Sequence, residues 1–581
     1  MPKARKPAIA GRRFFQALWR LLRIYWSSPD AKWGALLLAL AILLELGTVY
    51  GNVRLADAER QVLDALERKQ GATFFAATGL FLAVMLGFVL VSTYRIYARQ
   101  ALEIRWRRGL TAHYLERWVS GQAYCQAKLH GGEVDNPDQR IAEDVREFVA
   151  SALGLSLSLL SALTTLLSFG GLLWVLSRHF RLPTDGAELR VPGLMLWVAV
   201  AYAVVSTWLT HLLGRRLVPI NFDRLRFEAD FRYGLVRFRE NVEAVALSRG
   251  EALERLGDVA RFRNVIANWW QLIRAQRNLT LLTGGIGQAN GLLPLLVAAP
   301  AYIAGHLTFG TVAQIRFAYG QVSGALTWLV YAYQEIAHWR ANIERLATFA
   351  DVMDATARNL ERAGVRVVSG ETAALRLVDL QLEAPDGSVL FDHANATAGP
   401  GDRVAITGPS GTGKTMLLRA MAGIWPFGKG RIEVPLRARM LFSPQRPYLP
   451  LGSLRAVASY PAPEGTFPDA RIREVLRLLG LGNLEARLGD VEPWDQQLSG
   501  HEQQRLAMAR VLLNEPEWLF LDKATSELDE AMEKRVYELL AERLPRAAVI
   551  TVAHRPAVEA YHAKRWMLTR RDRGPAVLES A

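Results

Sequence analysis

The sequence predicts a helical, membrane-spanning first half joined to an α/β second half. Three observations predict it. Six long apolar runs fall within the first 335 residues. From about residue 370 onward, short β-like runs alternate with helical segments. The net charge is +14, and arginines gather in the stretches between the apolar runs.

The 581 residues are 51% hydrophobic, which excludes a disordered or collagen-like chain. The single cysteine, Cys125, excludes a disulfide framework and any cysteine-cluster metal site. The N-terminus is basic (Lys3, Arg5, Lys6, Arg12, Arg13), and no cleavable signal peptide is apparent. The first long apolar run begins near Trp33 and is too long for a signal's apolar core. Between Arg12 and Trp26, arginines mix with Phe14, Phe15, Leu18, Trp19 and Leu22. That mixture reads as an interfacial amphipathic helix within a cytoplasmic segment, 1–30.

A bilayer core takes about 20 mostly apolar helical residues. Six stretches qualify: 33–53, 72–94, 149–177, 192–213, 279–304 and 309–334. Only Gly305, His306 and Leu307 clearly separate the last two, which predicts a tight hairpin. The segments 95–148 and 214–278 are long and rich in arginine. The positive-inside rule then places the N-terminus, both long segments and everything after residue 335 in the cytoplasm. The charge follows topology and anionic-lipid contact, so it calls for no nucleic acid partner. Arg224, Arg232 and Arg237 lie among Phe222, Phe227 and Phe231, so the long segments are expected to continue the spans as helices. The membrane domain is expected over 31–345, a linker over 346–370 and the α/β domain over 371–581.

The α/β domain carries the clearest chemistry. Strand Arg403–Thr407 runs into Gly408, Pro409, Ser410, Gly411, Thr412, Gly413, Lys414 and Thr415, and a helix follows from Met416. This is a P-loop in its required strand–loop–helix setting. Its glycines let backbone N–H groups converge on phosphate, Lys414 reaches the β- and γ-phosphates, and the Thr415 hydroxyl suits Mg²⁺. The apolar strand Trp518–Asp522 ends in a carboxylate fit to hold the same ion.

Further motifs follow in a telling order. Leu498-Ser499-Gly500-His501-Glu502-Gln503-Gln504-Arg505 resembles the signature of ABC ATPases. Gln445 resembles their Q-loop glutamine, Ser526-Glu527-Leu528-Asp529 their D-loop and His554 their switch histidine. With the preceding spans, the chain is identified as a member of the ABC half-transporters: an α-helical six-span domain of the exporter type fused to an ABC ATPase domain. Asp135-Asn136-Pro137-Asp138-Gln139-Arg140-Ile141-Ala142-Glu143-Asp144 resembles the first inner loop of subfamily D. A coupling loop and a solvated, salt-bridged helix face are both open for it. Glu228-Ala229-Asp230-Phe231-Arg232-Tyr233 lies where subfamily D carries its EAA-like segment. Tyr319-Gly320-Gln321-Val322 and Trp339-Arg340-Ala341 resemble the bacterial BacA-like transporters with a fused ATPase.

The resemblance implies a homodimer with two composite sites, each P-loop facing the partner's signature, and alternating access on closure. It implies ATP contacts along Gly408 to Met416 and at Ser499, Gly500, His501 and Glu502. Mg²⁺ contacts are implied at Thr415, Gln445 and Asp522, and catalytic roles at Lys414, Gln445, His554 and position 523.

This chain departs from the family pattern at three places. Lys523 stands where the family carries its catalytic glutamate, and a protonated lysine cannot accept a proton. Slow hydrolysis with His554 and Gln445 positioning water, substitution by another carboxylate such as Glu527, and ATP binding with little turnover are all open. His501 replaces the second signature glycine, and Ala384 falls near the usual adenine-stacking aromatic.

Ionisable groups within spans are costly and mark functional candidates. Glu45, Arg316 and Gln321 are assigned to the substrate pathway, with interhelical glue or a structural ion pair equally open for such groups. The expected activity is ATP-dependent uptake of a peptide or other hydrophilic compound across a bacterial inner membrane, with membrane lipids as neighbours. Lipid or fatty-acyl transport, and an ATP-binding membrane sensor, remain alternatives.

Overall fold

A computed structural model describes residues 11–120, 124–125, 129, 136–178, 181–184, 187–361, 364–370, 372–553, 555–570 and 574–580. The chain divides into two compact units, one of residues 1–115 and 136–349 and one of residues 116–135 and 350–581. The main segment of the second unit therefore begins five residues after the expected membrane domain ends, and the unit also takes in the short segment 116–135.

The first unit is built from long helices. An N-terminal helix α1 (Gly11–Trp26) precedes α2 (Ala31–Glu67) and α3 (Gly71–Val119). Helix α4 (Pro137–Leu176) is followed by a two-stranded hairpin, β1 (Arg181–Thr184) and β2 (Ala187–Arg190). Then come α5 (Leu194–Gly214), α6 (Leu217–Glu240), α7 (Val242–Ser248), α8 (Glu251–Ile303) and α9 (Phe309–Glu361). At 1.5 Å per residue, the 49 residues of α3 extend about 74 Å, far more than a bilayer core requires. The apolar runs thus continue beyond the membrane as charged helices.

Among the described residues, five helical segments are long and apolar enough to cross a membrane, those within Ala31–Glu67, Gly71–Val119, Pro137–Leu176, Leu194–Glu240 and Glu251–Ile303. The sixth expected span, 309–334, is helical within α9 but is not among those five. Gln314, Arg316 and Gln321 interrupt its apolar run.

Helix α1 does not lie fully exposed. Phe15 and Trp19 face outward, while Leu21 and Tyr25 are buried. The Tyr25 ring stacks on Trp106 of α3. A Cβ on Gly34 would meet the Tyr25 hydroxyl at 2.5 Å, so the close approach of α1 to α2 requires glycine there. A separate core joins Phe169 and Leu173 of α4, Met195 and Ala199 of α5, Ala298 of α8 and Tyr319 of α9.

The second unit centres on a ten-stranded sheet in the order β3-β7-β4-β5-β12-β11-β6-β10-β9-β8. These strands are β3 (Val365–Gly370), β4 (Leu375–Glu383), β5 (Val389–Ala398), β6 (Arg403–Thr407), β7 (Gly428–Pro435), β8 (Met440–Ser443), β9 (Trp518–Asp522), β10 (Ala548–Val552), β11 (Lys564–Arg570) and β12 (Ala576–Ser580). Strands β11, β6, β10, β9 and β8 run parallel, as expected from the alternation of strand and helix. The other half is mixed, with β4 antiparallel to both β5 and β7. The tight turn at Ala384–Ser388, closed by a backbone bond from Ala384 to Ser388, makes β4 and β5 a hairpin rather than a crossover pair. Helices α10 (Lys414–Met421), α11 (Leu454–Ser459), α12 (Asp469–Leu478), α13 (Gly500–Asn514) and α14 (Glu530–Arg543) complete the unit. Strand β10 is buried along its whole length between β6 and β9, which brings the ends of all three strands together.

Candidate nucleotide site and membrane cavity

The nucleotide site is assembled at the ends of β6 and β9. Gly408 leaves β6 with φ +134°, and a Cβ there would lie 2.3 Å from the Leu568 carbonyl oxygen, so only glycine fits. Gly413 (φ +94°) precedes the first turn of α10. Pro409, Ser410 and Gly411 are exposed, Thr412 is buried and donates to the Pro409 carbonyl, and Met416 packs against the core beneath. The Lys414 ammonium curls over the loop and donates to the Gly408 and Pro409 carbonyls at 2.6 and 2.7 Å. The Thr415 hydroxyl donates to Asp522 Oδ1 at 3.0 Å. A hydroxyl beside a carboxylate is a hard-oxygen pair suited to Mg²⁺, and the open glycine loop suits a triphosphate.

Lys523 follows Asp522 with φ +48°, and its carbonyl accepts the Ser526 N–H. Burial lowers the Lys414 ammonium below the usual lysine range, and the charge of Lys523 lowers it further. Two cations therefore lie close enough to influence each other. Among the described residues, no carboxylate forms an ion pair with Lys523.

The signature residues open α13. Ser499 caps the helix by accepting the Glu502 N–H, and Glu502 returns the bond to the Ser499 N–H at 3.0 Å. The backbone bond from Ser499, opposed by partial burial and joined by the Ser499 hydroxyl, holds the Glu502 carboxyl below its usual range. Gly500 and His501 are exposed beside this capping box. Asp529 does equivalent work for α14, accepting the Met532 N–H at 2.7 Å. The Gln445 side chain is exposed. His554 lies outside the described residues, and β10 ends two residues before it.

Sequence reasoning missed Gln504, which is 1% exposed. Its Nε2 donates to the Gln445 carbonyl at 2.9 Å, and its Oε1 accepts the Glu527 N–H at 3.0 Å. One amide thus joins the signature helix to the two neighbouring loops. Its signal was a polar residue heading the apolar run Leu506–Leu513. Gln504→Leu leaves the Gln445 carbonyl and Glu527 N–H without partners, and each buried orphan costs about 1–3 kcal/mol. Thermal unfolding of the full chain in detergent should show that loss, and an unchanged midpoint would refute the bridge.

In the membrane region, Glu45 of α2 is 4% exposed, and Arg95 of α3 donates to both of its oxygens at 2.9 and 3.1 Å. This pair lines a cavity of about 630 Å³ with Arg99, Ser158, Gln321 and Trp328. Arg316 is exposed and is not part of that lining. A second cavity of about 250 Å³ is lined by hydroxyl and amide groups, including Tyr202, Ser206, Asn290 and Ser323. Gly320 and Gly324 of α9 border both.

A P-loop ATPase domain following a helical membrane region is the class these features define. Residues 391–526 match the model of the ABC transporter ATPase family, and residues 21–303 match ABC transporter transmembrane region 2. An uncharacterized ABC transporter ATP-binding protein of Synechocystis sp. is 36% identical over 90% of this chain and 79% of its own length. Inner membrane ABC transporter ATP-binding protein YddA of Escherichia coli is 32% identical over 93% of this chain and 94% of its own. The chloroplastic ABC transporter D family member 2 of Arabidopsis thaliana is 32% identical over 93% and 84%. The chain belongs to the ABC transporters, with fused transmembrane and ATPase domains, and its relatives include subfamily D members and bacterial half-transporters.

Proposed function

We propose that the chain works as a homodimer that hydrolyses ATP to take up a peptide or other hydrophilic compound across a bacterial inner membrane. The observation that carries this reading is the charged cavity around Glu45 and Arg95, which offers paired, opposite charges to a polar cargo. The resemblance to bacterial half-transporters supports the location and the direction.

In the proposed site, ATP is the substrate. The P-loop N–H groups and Lys414 would hold its phosphates, and Thr415 and Asp522 would hold Mg²⁺, with Gln445 proposed as a further ligand of the ion. The ion supplies charge neutralisation on the phosphates. Closure of the partner's Ser499 and Gly500 over the γ-phosphate makes ATP a ligand that prefers one state, and so shifts the population between inward and outward access.

The test is ATP-dependent accumulation of labelled short peptides in proteoliposomes containing the full chain. Glu45→Gln and Arg95→Gln each strand one partner of the pair, and each should slow accumulation by about tenfold or more. Accumulation equal with and without ATP would remove the transport reading. Lys523 favours a second reading, an ATP-binding membrane sensor, which that result would support.

A further inference from the structure

Position 523 lacks the carboxylate that ATP hydrolysis calls for, but the structure holds one elsewhere. Glu527 is exposed, and its side chain forms no hydrogen bond or ion pair among the described residues. Its Oε2 lies 3.1 Å from where a Cβ on Gly500 would stand, so the carboxylate rests against the signature turn. Its backbone is held there, since the Glu527 N–H is bound by buried Gln504. Within the P-loop site of the same chain, Asp522 is engaged by Thr415 and Lys414 by backbone carbonyls.

We propose that Glu527 is the catalytic base of ATP hydrolysis and that it acts across the dimer. This rests on the homodimeric ATPase reading above, in which one protomer's signature turn closes on the other's P-loop. A carboxylate seated on that turn travels with it to the γ-phosphate. There it meets the surplus positive charge of Lys414 and Lys523. The two positions have exchanged charge: a cation stands at 523, and the carboxylate arrives from the partner subunit's Glu527. In the step, the water oxygen bonds to the γ-phosphorus and a water proton passes to the carboxylate. The bond from the γ-phosphorus to the bridging oxygen breaks, and its electron pair leaves on ADP. Lys414 and Lys523 stabilise the charge on the transferred group and on ADP.

The experiment measures phosphate release from Mg-ATP by the full chain in lipid. Glu527→Gln should lower kcat by about 10²-fold, the usual scale for a general base, and leave KM and binding of a fluorescent ATP analogue unchanged. Glu527→Asp should recover part of the rate. Two differently tagged chains, Lys414→Ala and Glu527→Gln, are then purified as a mixed dimer. Action across the dimer leaves one site complete, so the mixed dimer should match a Lys414→Ala/wild-type dimer. A rate at the level of the Glu527→Gln homodimer would overturn the proposal, as would full kcat in Glu527→Gln itself. Wild-type turnover no faster than Lys414→Ala would remove the ATPase reading and this inference together, an outcome visible before any Glu527 variant is made.

Discussion

In the Glu527→Gln background, Lys523→Glu should raise Lys414-dependent ATP turnover by at least about tenfold, because a positioned base contributes on the order of 10²–10⁴-fold. Lysine is protonated at cytosolic pH and cannot take the proton of water. Its charge also bears on the P-loop, since together with burial it lowers the pKa of Lys414. A carboxylate at 523 would reverse that influence and offer a base directly beside Asp522. Lys523→Gln separates the two effects, as it removes the charge without adding a base, and it should restore no turnover. In the Lys523→Glu background, Glu527→Gln should cost little, since the base is then within the same chain. Turnover in Lys523→Glu/Glu527→Gln no faster than in Glu527→Gln alone would show that the remaining geometry does not support hydrolysis at that position.

Asp144→Ala should lower the stability of the first unit by about 3 kcal/mol, the scale for breaking a buried ion pair. Asp144 is 2% exposed and accepts from Arg140 at 2.7 Å and from Arg345 at 2.9 and 2.7 Å. Arg345 also neighbours Asn342, whose amide donates to Glu147 at 3.0 Å, so the start of α4 and the middle of α9 share one polar network. Without the carboxylate, Arg140 loses the bond it makes to Asp144. The Arg345 side chain is 37% exposed and recovers water, which discounts its share. Arg345→Ala should therefore cost less than Asp144→Ala, as Arg140 still pairs with Asp144. The apparent midpoint of thermal unfolding in detergent reads both. Equal midpoints for Asp144→Ala and wild type would mean that the network contributes nothing to stability. The network also bears on the two readings of 135–144, since it ties Arg140 and Asp144 into the membrane unit.

The parts of the nucleotide site contributed by contiguous residues were legible from the sequence. The P-loop needs glycines, a lysine and a threonine in a fixed run between strand and helix, and that run is visible without coordinates. The capping of α13 by Ser499 and Glu502 was equally local, since the two lie three residues apart. Pairings across long separations were not legible. Glu45 was singled out as an ionisable group in a span, but its partner Arg95 is 50 residues away on another helix. Arg316 and Gln321 sit five residues apart on one helix, yet only Gln321 lines the cavity. Composition cannot say which way a helix turns its faces. The antiparallel pairings in the mixed half of the sheet were missed because strand direction depends on how β4 pairs with β5 and β7, not on apolar content.

By itself the sequence determined the strand–glycine-loop–helix run of the P-loop and the apolar length of the membrane helices. Both depend on residues close in the chain, where backbone geometry and hydropathy act locally. Only the tertiary structure decided that Glu527 rests on the signature turn, that Gln504 joins two loops, and that Glu45 and Arg95 share a cavity. Those adjacencies come from packing of buried faces, which brings side chains within hydrogen-bond reach whatever their distance in sequence.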